Sequence, residues 1–502
     1  MSLDVIIVGS GIGGLTAGSL LARYGYKVLI CESHSIPGGA AHSFTRKGFT
    51  FDSGPSFYAG IGSQQESLNP LQQVLRVLGE SLETVPYDPL GEFHFPEGTF
   101  AAYQNNEQYC QEISKITPEG GKEYQKFLRE MLGLYDTLKE IPTIELRGDR
   151  KVVQTLIPKY LPALLKSLPK LPLMGSSVGK IRDKTVSDPW VKRLIDLECF
   201  LLSGLKAEGT IAPEIAFMLG ERSCVGVEYP IGGSGAIVEA LIRGLKRWGG
   251  EIKLNAHVEN ILVTSGKVEG VKLQNGETIK APIVISNATI WDTYNSLLNP
   301  QDLPTSYRQS SLETPALNSF MHLHLGIRAE GLETINGHHV VVHDSNQDIA
   351  TPGNTCMISI PTVWDSSLAP PQHHLIHAYT LEPYQGWQRD HNYQHNKRTQ
   401  AETLYQAIEK IIPDLRSRIT LELIGSPLTH AHYLRRYQGT YGPAISAEEG
   451  LFPRHKTPIS GLYRVGDSTL PGIGVPAVAA SGILCANSLV FPQQHQWGIT
   501  RF

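Results

Sequence analysis

The sequence predicts a chain of the α/β (α+β) class, in which a crossover-wound parallel unit is assembled from separated stretches and a second domain is interleaved between them. Three observations carry this reading. Residues 3–32 read as strand, glycine turn, helix and second strand; residues 252–286 return to short strands; and residues 461–482 repeat a strand-to-helix glycine turn some 450 residues after the first.

In the first stretch, residues 5–8 form an apolar run of strand type that leads into Gly9, Gly11 and Gly14 at GxGxxG spacing. A helix of small residues follows, and a β-rich run over residues 27–31 ends on Glu32. Gly9 permits the tight turn, Gly11 lets the backbone approach a pyrophosphate, and Gly14 lets helix and strand pack closely. Ser10 and Ile12 complete the predicted contacts of the turn, and the helix N-terminus offers unpaired amides to the phosphates. Glu32 is placed to accept hydrogen bonds from ribose hydroxyls, and its charge repels a 2′-phosphate. The unit is therefore Rossmann-like and binds a dinucleotide.

The continuation narrows the choice. Residues 35–40 read SIPGGA and residues 46–55 read RKGFTFDSGP, so the chain turns on glycines again instead of starting another βα repeat. This resembles the flavoprotein superfamily of amine oxidases, carotenoid desaturases and isomerases. The resemblance implies FAD lying along the first crossover, with Gly38, Gly39 and Ala40 helping to cover it. NAD-only dehydrogenases lack that continuation.

Length and composition set further bounds. At 502 residues the chain exceeds one compact core, so two or more domains are expected. A formal net charge of −4 and the lack of a basic tract argue against a nucleic-acid partner. Six cysteines, at 31, 110, 199, 224, 356 and 485, show no metal or CxxC spacing and read as reduced residues of an intracellular protein. The fingerprint begins at residue 4, which is read as leaving no room for a leader, and no apolar run reaches the roughly 18 residues of a membrane span.

Taken in order, residues 1–90 are expected to form the first FAD-binding segment, including a helix over 69–78 that closes on Gly79. Residues 91–224 form the first substrate-domain segment, with strands over 93–103 and a helix over 118–138. Within it, 152–178 interleaves Leu, Pro and Lys, cannot be one straight helix, and is a possible membrane-surface element. Residues 225–295 return to the FAD domain through YPIGGSGAI, a helix and short strands; the resemblance makes the backbone at Val258 the contact to adenine. Residues 296–455 form the second substrate segment. Its paired histidines, His322 with His324 and His430 with His432, read as a polar strand face, since no Cys or carboxylate completes a ligand set, and no metal is expected. Residues 456–502 close the FAD domain. In the family the Asp of the Gly466–Asp467 turn bonds the ribityl or pyrophosphate region, and amides near Gly474 and Val475 face the flavin ring, where the helix dipole favours its anionic reduced form.

Taken together, GSGIGGL, IPGGA, GFTFDSG, IDLECF, YPIGGSGAI, ISNATIWDT, SIPTVWDSSLAP, QGTYGP and LYRVGDSTLPGIGV resemble the carotenoid isomerase branch of the phytoene-desaturase-type flavoproteins, from residue 9 to residue 475. SCVGVEYP and SFYAGIGS depart from that pattern. The resemblance implies an enzyme that takes a poly-cis carotene to its all-trans form on reduced FAD with no net redox change, lying peripherally on the cytoplasmic side of a membrane in a bacterial cell or plastid-type compartment. The alternatives are a carotenoid desaturase or retinol-saturase-like oxidoreductase, and a non-enzymatic lipid binder with the architecture of the Rab GDP-dissociation inhibitors. Asp52 and Glu198 are candidate acids that read more readily as buried structural carboxylates. No catalytic residue and no electron donor is assigned.

Overall fold

The computed structural model describes residues 2–54, 56–62 and 67–500; Pro55 of the second glycine stretch and Ser63 of SFYAGIGS lie outside them. A five-stranded parallel sheet runs in the order Leu462–Arg464, Ile283–Ser286, Val5–Val8, Val28–Cys31 and Glu251–Lys253. Val5–Val8 is apolar throughout and buried, as a parallel strand covered on both faces must be: helices lie over Val5 and Ile7, and the strands Val258–Thr264 and Lys267–Leu273 pack against Ile6 and Val8. The chain leaves this central strand toward one side through Ile12–Arg23 to Val28–Cys31, whereas Ile283–Ser286 and Leu462–Arg464 add to its other side. The strand order therefore reverses at the carboxyl end of Val5–Val8, where a crevice opens in such sheets. The helices Ile12–Arg23, Ser234–Arg247 and Val475–Leu489 cover one face through Leu15, Leu20, Leu241 and Ile483.

The second sheet has seven strands, ordered Ile419–Gly425, Ser319–Arg328, His373–Glu382, Thr355–Ser359, His338–Val342, Gly91–Phe95 and Gly98–Ala102. Met321, Leu323 and Leu325 alternate to the face that packs on Ala401, Leu404 and Ile408 of the helix Tyr393–Glu409. The intervening residues Phe320, His322 and His324 occupy the opposite face. A layer of helices, among them Asn106–Ile116, Gly120–Leu138, Pro189–Ser203 and Ala212–Cys224, surrounds Tyr109, Tyr124, Leu194 and Ala216 beside it.

Local signals explain the boundaries. The helix Pro70–Leu78 starts where Asn69 accepts from the Leu71 amide and stops at Gly79, whose φ of 74° is left-handed. Val152–Ser167 carries Pro158 and Pro162 and breaks its helical dihedrals at Tyr160, so the proline-rich segment is kinked as its composition dictates. Among the described residues, no helix is long and apolar enough to cross a membrane.

Candidate functional site

The reversal point opens into a cavity of about 1380 Å³ that extends from the glycine turn to the free face of the seven-stranded sheet. Gly9, Ser10, Gly11, Ile12, Glu32, Gly38, Gly39, Ala40, Val258, Gly466, Asp467, Gly474 and Val475 all line it. Gly14 does not; it packs behind the turn, where a Cβ would stand 2.3 Å from the Gly9 carbonyl oxygen.

Two helix N-termini open onto the cavity. Ile12–Arg23 begins after Gly11 and Val475–Leu489 after Gly474, and among the described residues no side chain caps either one. Their first-turn amides are thus left for a ligand, and both dipoles favour negative charge there. The helices cross closely at Gly482, whose Cβ would meet the Gly13 carbonyl at 2.8 Å. The turn at Gly38 and Gly39 lies directly on the first glycine loop: a Cβ on Gly39 would stand 3.1 Å from the Gly11 Cα, and the Gly38 amide donates to Ser10 Oγ.

Glu32 is buried, and its carboxylate braces this loop. Oε2 accepts from the Ser10 amide at 2.8 Å and from Ser10 Oγ at 2.6 Å, while Oε1 accepts from the His34 amide at 2.7 Å. Asp467 is likewise engaged. Its Oδ2 accepts from Arg436 Nη2 at 2.6 Å and its Oδ1 from Ser468 Oγ at 3.0 Å.

Two residues central to this geometry escaped the sequence reading. Asn287 fills the space between the first glycine turn and Gly466: a Cβ on Gly11 would fall 2.6 Å from its Nδ2, and one on Gly13 2.8 Å from its Oδ1. Its signal was its place at the carboxyl end of a core strand in ISNAT. Arg436, the partner of Asp467, is one of several arginines in a polar stretch and carries no local signal.

The donor set fits a dinucleotide: two uncapped helix ends for phosphates, backbone cradles that exclude side chains, and an acid at the end of the second strand. Fold and cavity together thus define a dinucleotide-binding flavoprotein. The chain belongs to the flavin-containing amine oxidoreductase family, whose profile matches residues 12–490, and within it to the branch that holds the prolycopene isomerases. FAD is its cofactor. The chloroplastic prolycopene isomerase of Daucus carota is 36% identical over 495 residues, covering 96% of this chain and 79% of that protein. The neurosporene-forming phytoene desaturase of Cereibacter sphaeroides is 27% identical over 519 residues, covering 96% and 93%. An oxidoreductase from Methanosarcina mazei shares the fold at a TM-score of 0.64 and 21% identity, covering 96% of this chain and 99% of that one.

Away from the nucleotide end the wall is largely apolar, with Phe93, Leu201, Phe217, Met218, Phe320 and Met357. The histidines there correct the expected polar strand face. His322, His324 and His377 are buried, with His322 Nδ1 and His377 Nε2 2.9 Å apart and the His324 and His377 rings stacked at 4.5 Å. His430 and His432 lie on the helix Pro427–Leu434, not on a strand, so only His430 turns to His322, with ring centroids 4.2 Å apart. Burial, reinforced by the neighbouring imidazoles, holds His322 and His377 well below the ordinary histidine range. Burial likewise brings His324 down to about 4 and His430 to about 3. His322 and His430 line the cavity and present uncharged rings to it at neutral pH, with His324 and His377 packed beside His322.

Asp52 accepts from Ser43 Oγ, Tyr229 OH, the Ser234 amide and Ser234 Oγ, which ties a strand end to the start of the helix Ser234–Arg247. Glu198 is held by Tyr124, Tyr109 and Arg222 at the far end of the cavity. Each carboxylate is spent on holding elements together. Glu214 differs: it lines the cavity in the first turn of Ala212–Cys224, and burial raises its carboxyl from the model-peptide value of 4.5 to about 8. Between those two pH values the folded state holds a proton that the unfolded state has lost. Stability contributed by this group is therefore full below pH 4.5 and falls as pH rises to about 8. Glu214→Gln should flatten that decline, measured as the difference in Tm between parent and variant across the window; parallel Tm profiles would refute it.

Proposed function

We propose that the chain is an FAD-dependent carotenoid cis–trans isomerase, converting a poly-cis carotene such as prolycopene to its all-trans form without net redox change. The observation that carries this reading is the long, largely apolar cavity continuous with the nucleotide crevice, whose far-end carboxylate Glu198 is neutralised by Arg222, which suits a hydrocarbon with no ionisable handle. The similarity to the prolycopene isomerases over 96% of the chain supports it.

Bound in reduced form, FAD supplies a reversible source of electron density that lowers the order of a cis double bond long enough for rotation. Phe320, Met357 and Phe217 supply apolar contact area along the polyene and keep water from it. The uncapped N-terminus of Val475–Leu489 favours negative charge at the nucleotide end, and Arg436 offsets the charge of Asp467 beside it. Glu214 holds a proton on its carboxyl at neutral pH, at the cavity wall. The cofactor contacts assigned above, and the division into FAD-binding segments 1–90, 225–295 and 456–502 around substrate segments 91–224 and 296–455, are part of this reading.

The similarity to phytoene desaturases favours a second reading, in which bound FAD in its oxidised form would supply the two-electron acceptor for a polyene that gives up two hydrogens, one as hydride and one as a proton. Under anaerobic conditions, chemically reduced enzyme is expected to convert a poly-cis carotene in many turnovers to an all-trans product of unchanged mass. Product lighter by two hydrogens, formed only with oxidised flavin, would establish the desaturase; product heavier by two would establish a saturase.

Peripheral binding to a membrane belongs to the same proposal. Val153, Ile157, Leu161 and Leu165 recur every four residues along the kinked helix and are 44–57% exposed, with Lys159 between them and Lys166 just beyond. Phe491, at 70% exposed, extends the apolar patch beside Lys151. Leu138, Ile141 and Leu146, in and beside the connection into this helix, line the cavity, which gives a lipid-dissolved substrate a short path inward. Leu164 is half-buried, so the informative variant is Ile157, Leu161 and Leu165 to Ser. It should lose sedimentation with anionic liposomes while keeping the flavin spectrum; a parent protein that stays in the supernatant would defeat the idea.

A further inference from the structure

On the face of the seven-stranded sheet that carries Val341, three side chains from two sequence-distant strands converge, and two of them, Glu92 and His339, belong to residues at the edge of the cavity. Glu92 and His94 come from Gly91–Phe95, and His339, 245 residues beyond His94, comes from His338–Val342. The parallel register places His339 beside Glu92 and Val341 beside His94, so all three point to the side of Val341, which the helix Tyr393–Glu409 covers.

His94 Nε2 lies 3.2 Å from His339 Nδ1 and 3.6 Å from Glu92 Oε2, and His339 Nδ1 lies 3.4 Å from Glu92 Oε2. Tetrahedral zinc with bonds of about 2.0–2.1 Å separates its ligand atoms by about 3.3–3.4 Å. Octahedral magnesium with bonds of that length brings them to about 2.9 Å. The observed triangle has the tetrahedral size.

The outer partners point the same way. His339 Nε2 lies 3.0 Å from the Asn336 carbonyl oxygen, which only accepts, so that nitrogen carries a proton and Nδ1 is the ring atom turned to Glu92 and His94. The outer atoms are each engaged by a second partner: Glu92 Oε1 accepts from Asn336 Nδ2 at 2.8 Å, and His94 Nδ1 meets Thr99 Oγ1 at 3.2 Å. Such outer contacts orient metal-bound imidazole and carboxylate.

We propose that Glu92, His94 and His339 bind a zinc ion, with water as the fourth ligand, and that the ion pins the edge hairpin 91–102 to the strand His338–Val342. Glu92 and His94 are half-buried, which leaves an entry path from solvent. Lys410, at the end of the covering helix, acts electrostatically on His94 and opposes a cation there. The sequence conceals the site because Glu92 and His94 supply only two ligands and the third is remote.

The test is to strip flavin-loaded protein with a chelator and titrate it with zinc chloride against a chromophoric competitor. One zinc per chain is expected, with affinity weakened at least about tenfold in Glu92→Gln and in His94→Ala, and strengthened in Lys410→Gln. His322→Gln, in the buried histidine group on the opposite face, should leave it unchanged. Cobalt in place of zinc should give the intense visible bands of a tetrahedral site. Far-UV circular dichroism and flavin absorbance check that the variants are folded. No stoichiometric zinc at micromolar free metal, or zinc kept by both ligand variants and lost with His322→Gln, would overturn the assignment.

Discussion

Gly14→Ala should leave a protein that retains essentially no FAD, whereas Gly11→Ala should only weaken retention. The two glycines belong to one motif but meet different obstacles. A Cβ at position 14 would stand 2.3 Å from the Gly9 carbonyl oxygen, which is backbone and fixed by the turn that the phosphates need. The loop must move as a body, and the amides of Ile12–Arg23 move with it. A Cβ at position 11 would instead meet the end of the Asn287 side chain at 2.6 Å, and that chain can swing. Overpacking of this kind costs about 1–3 kcal/mol. Asn287→Ala should therefore recover part of the flavin lost in Gly11→Ala, the part due to the Asn287 clash and not to crowding of the pyrophosphate, and do nothing for Gly14→Ala. Flavin stoichiometry after gel filtration measures all four proteins; equal losses in the two glycine variants, or no rescue, would refute the distinction.

The same residues show what was legible in the sequence. Gly9 to Glu32 could be read because each part of the crevice they build is local: turn, helix start and acid follow one another within one βαβ unit. The helix Pro70–Leu78 could be read for the same reason, with Asn69 and Gly79 marking both ends. What was hidden depends on pairing between distant strands. Whether His322, His324 and His377 face solvent or a cavity is decided by the register that sets His377 opposite His324, and nothing within either strand encodes it. His430 was misplaced by spacing, because two histidines two apart share a face on a strand but not on a helix. Glu214 was invisible because its raised carboxyl arises from burial by elements that assemble only in the folded chain.

Arg436→Ala should weaken FAD binding by about 2 kcal/mol, roughly 30-fold, and more than Asp467→Asn does. The guanidinium does more than pair with the carboxylate. Its Nη2 donates to Asp467 and to the Tyr441 carbonyl at 3.2 Å, and its Nε donates to the Thr440 carbonyl at 3.0 Å, so it closes the turn 436–441 on itself. Strain lies just before the turn and within it, with Arg435 at φ 47° and Gln438 at φ 50°, conformations that cost a non-glycine residue about 1–3 kcal/mol. Gly439, Thr440 and Tyr441, which the turn presents, line the cavity. Removing Arg436 leaves Asp467 without its counter-charge and releases the strain at once. Asp467→Asn keeps the shape and loses only the charge, so the turn should hold and FAD affinity should fall less. Arg436→Lys should resemble the alanine variant more than the parent, because one ammonium group cannot bridge two carbonyls and a carboxylate in the fixed geometry of a guanidinium. Flavin affinity by fluorescence titration ranks the three; a lysine variant that binds like the parent would reduce Arg436 to a simple counter-charge.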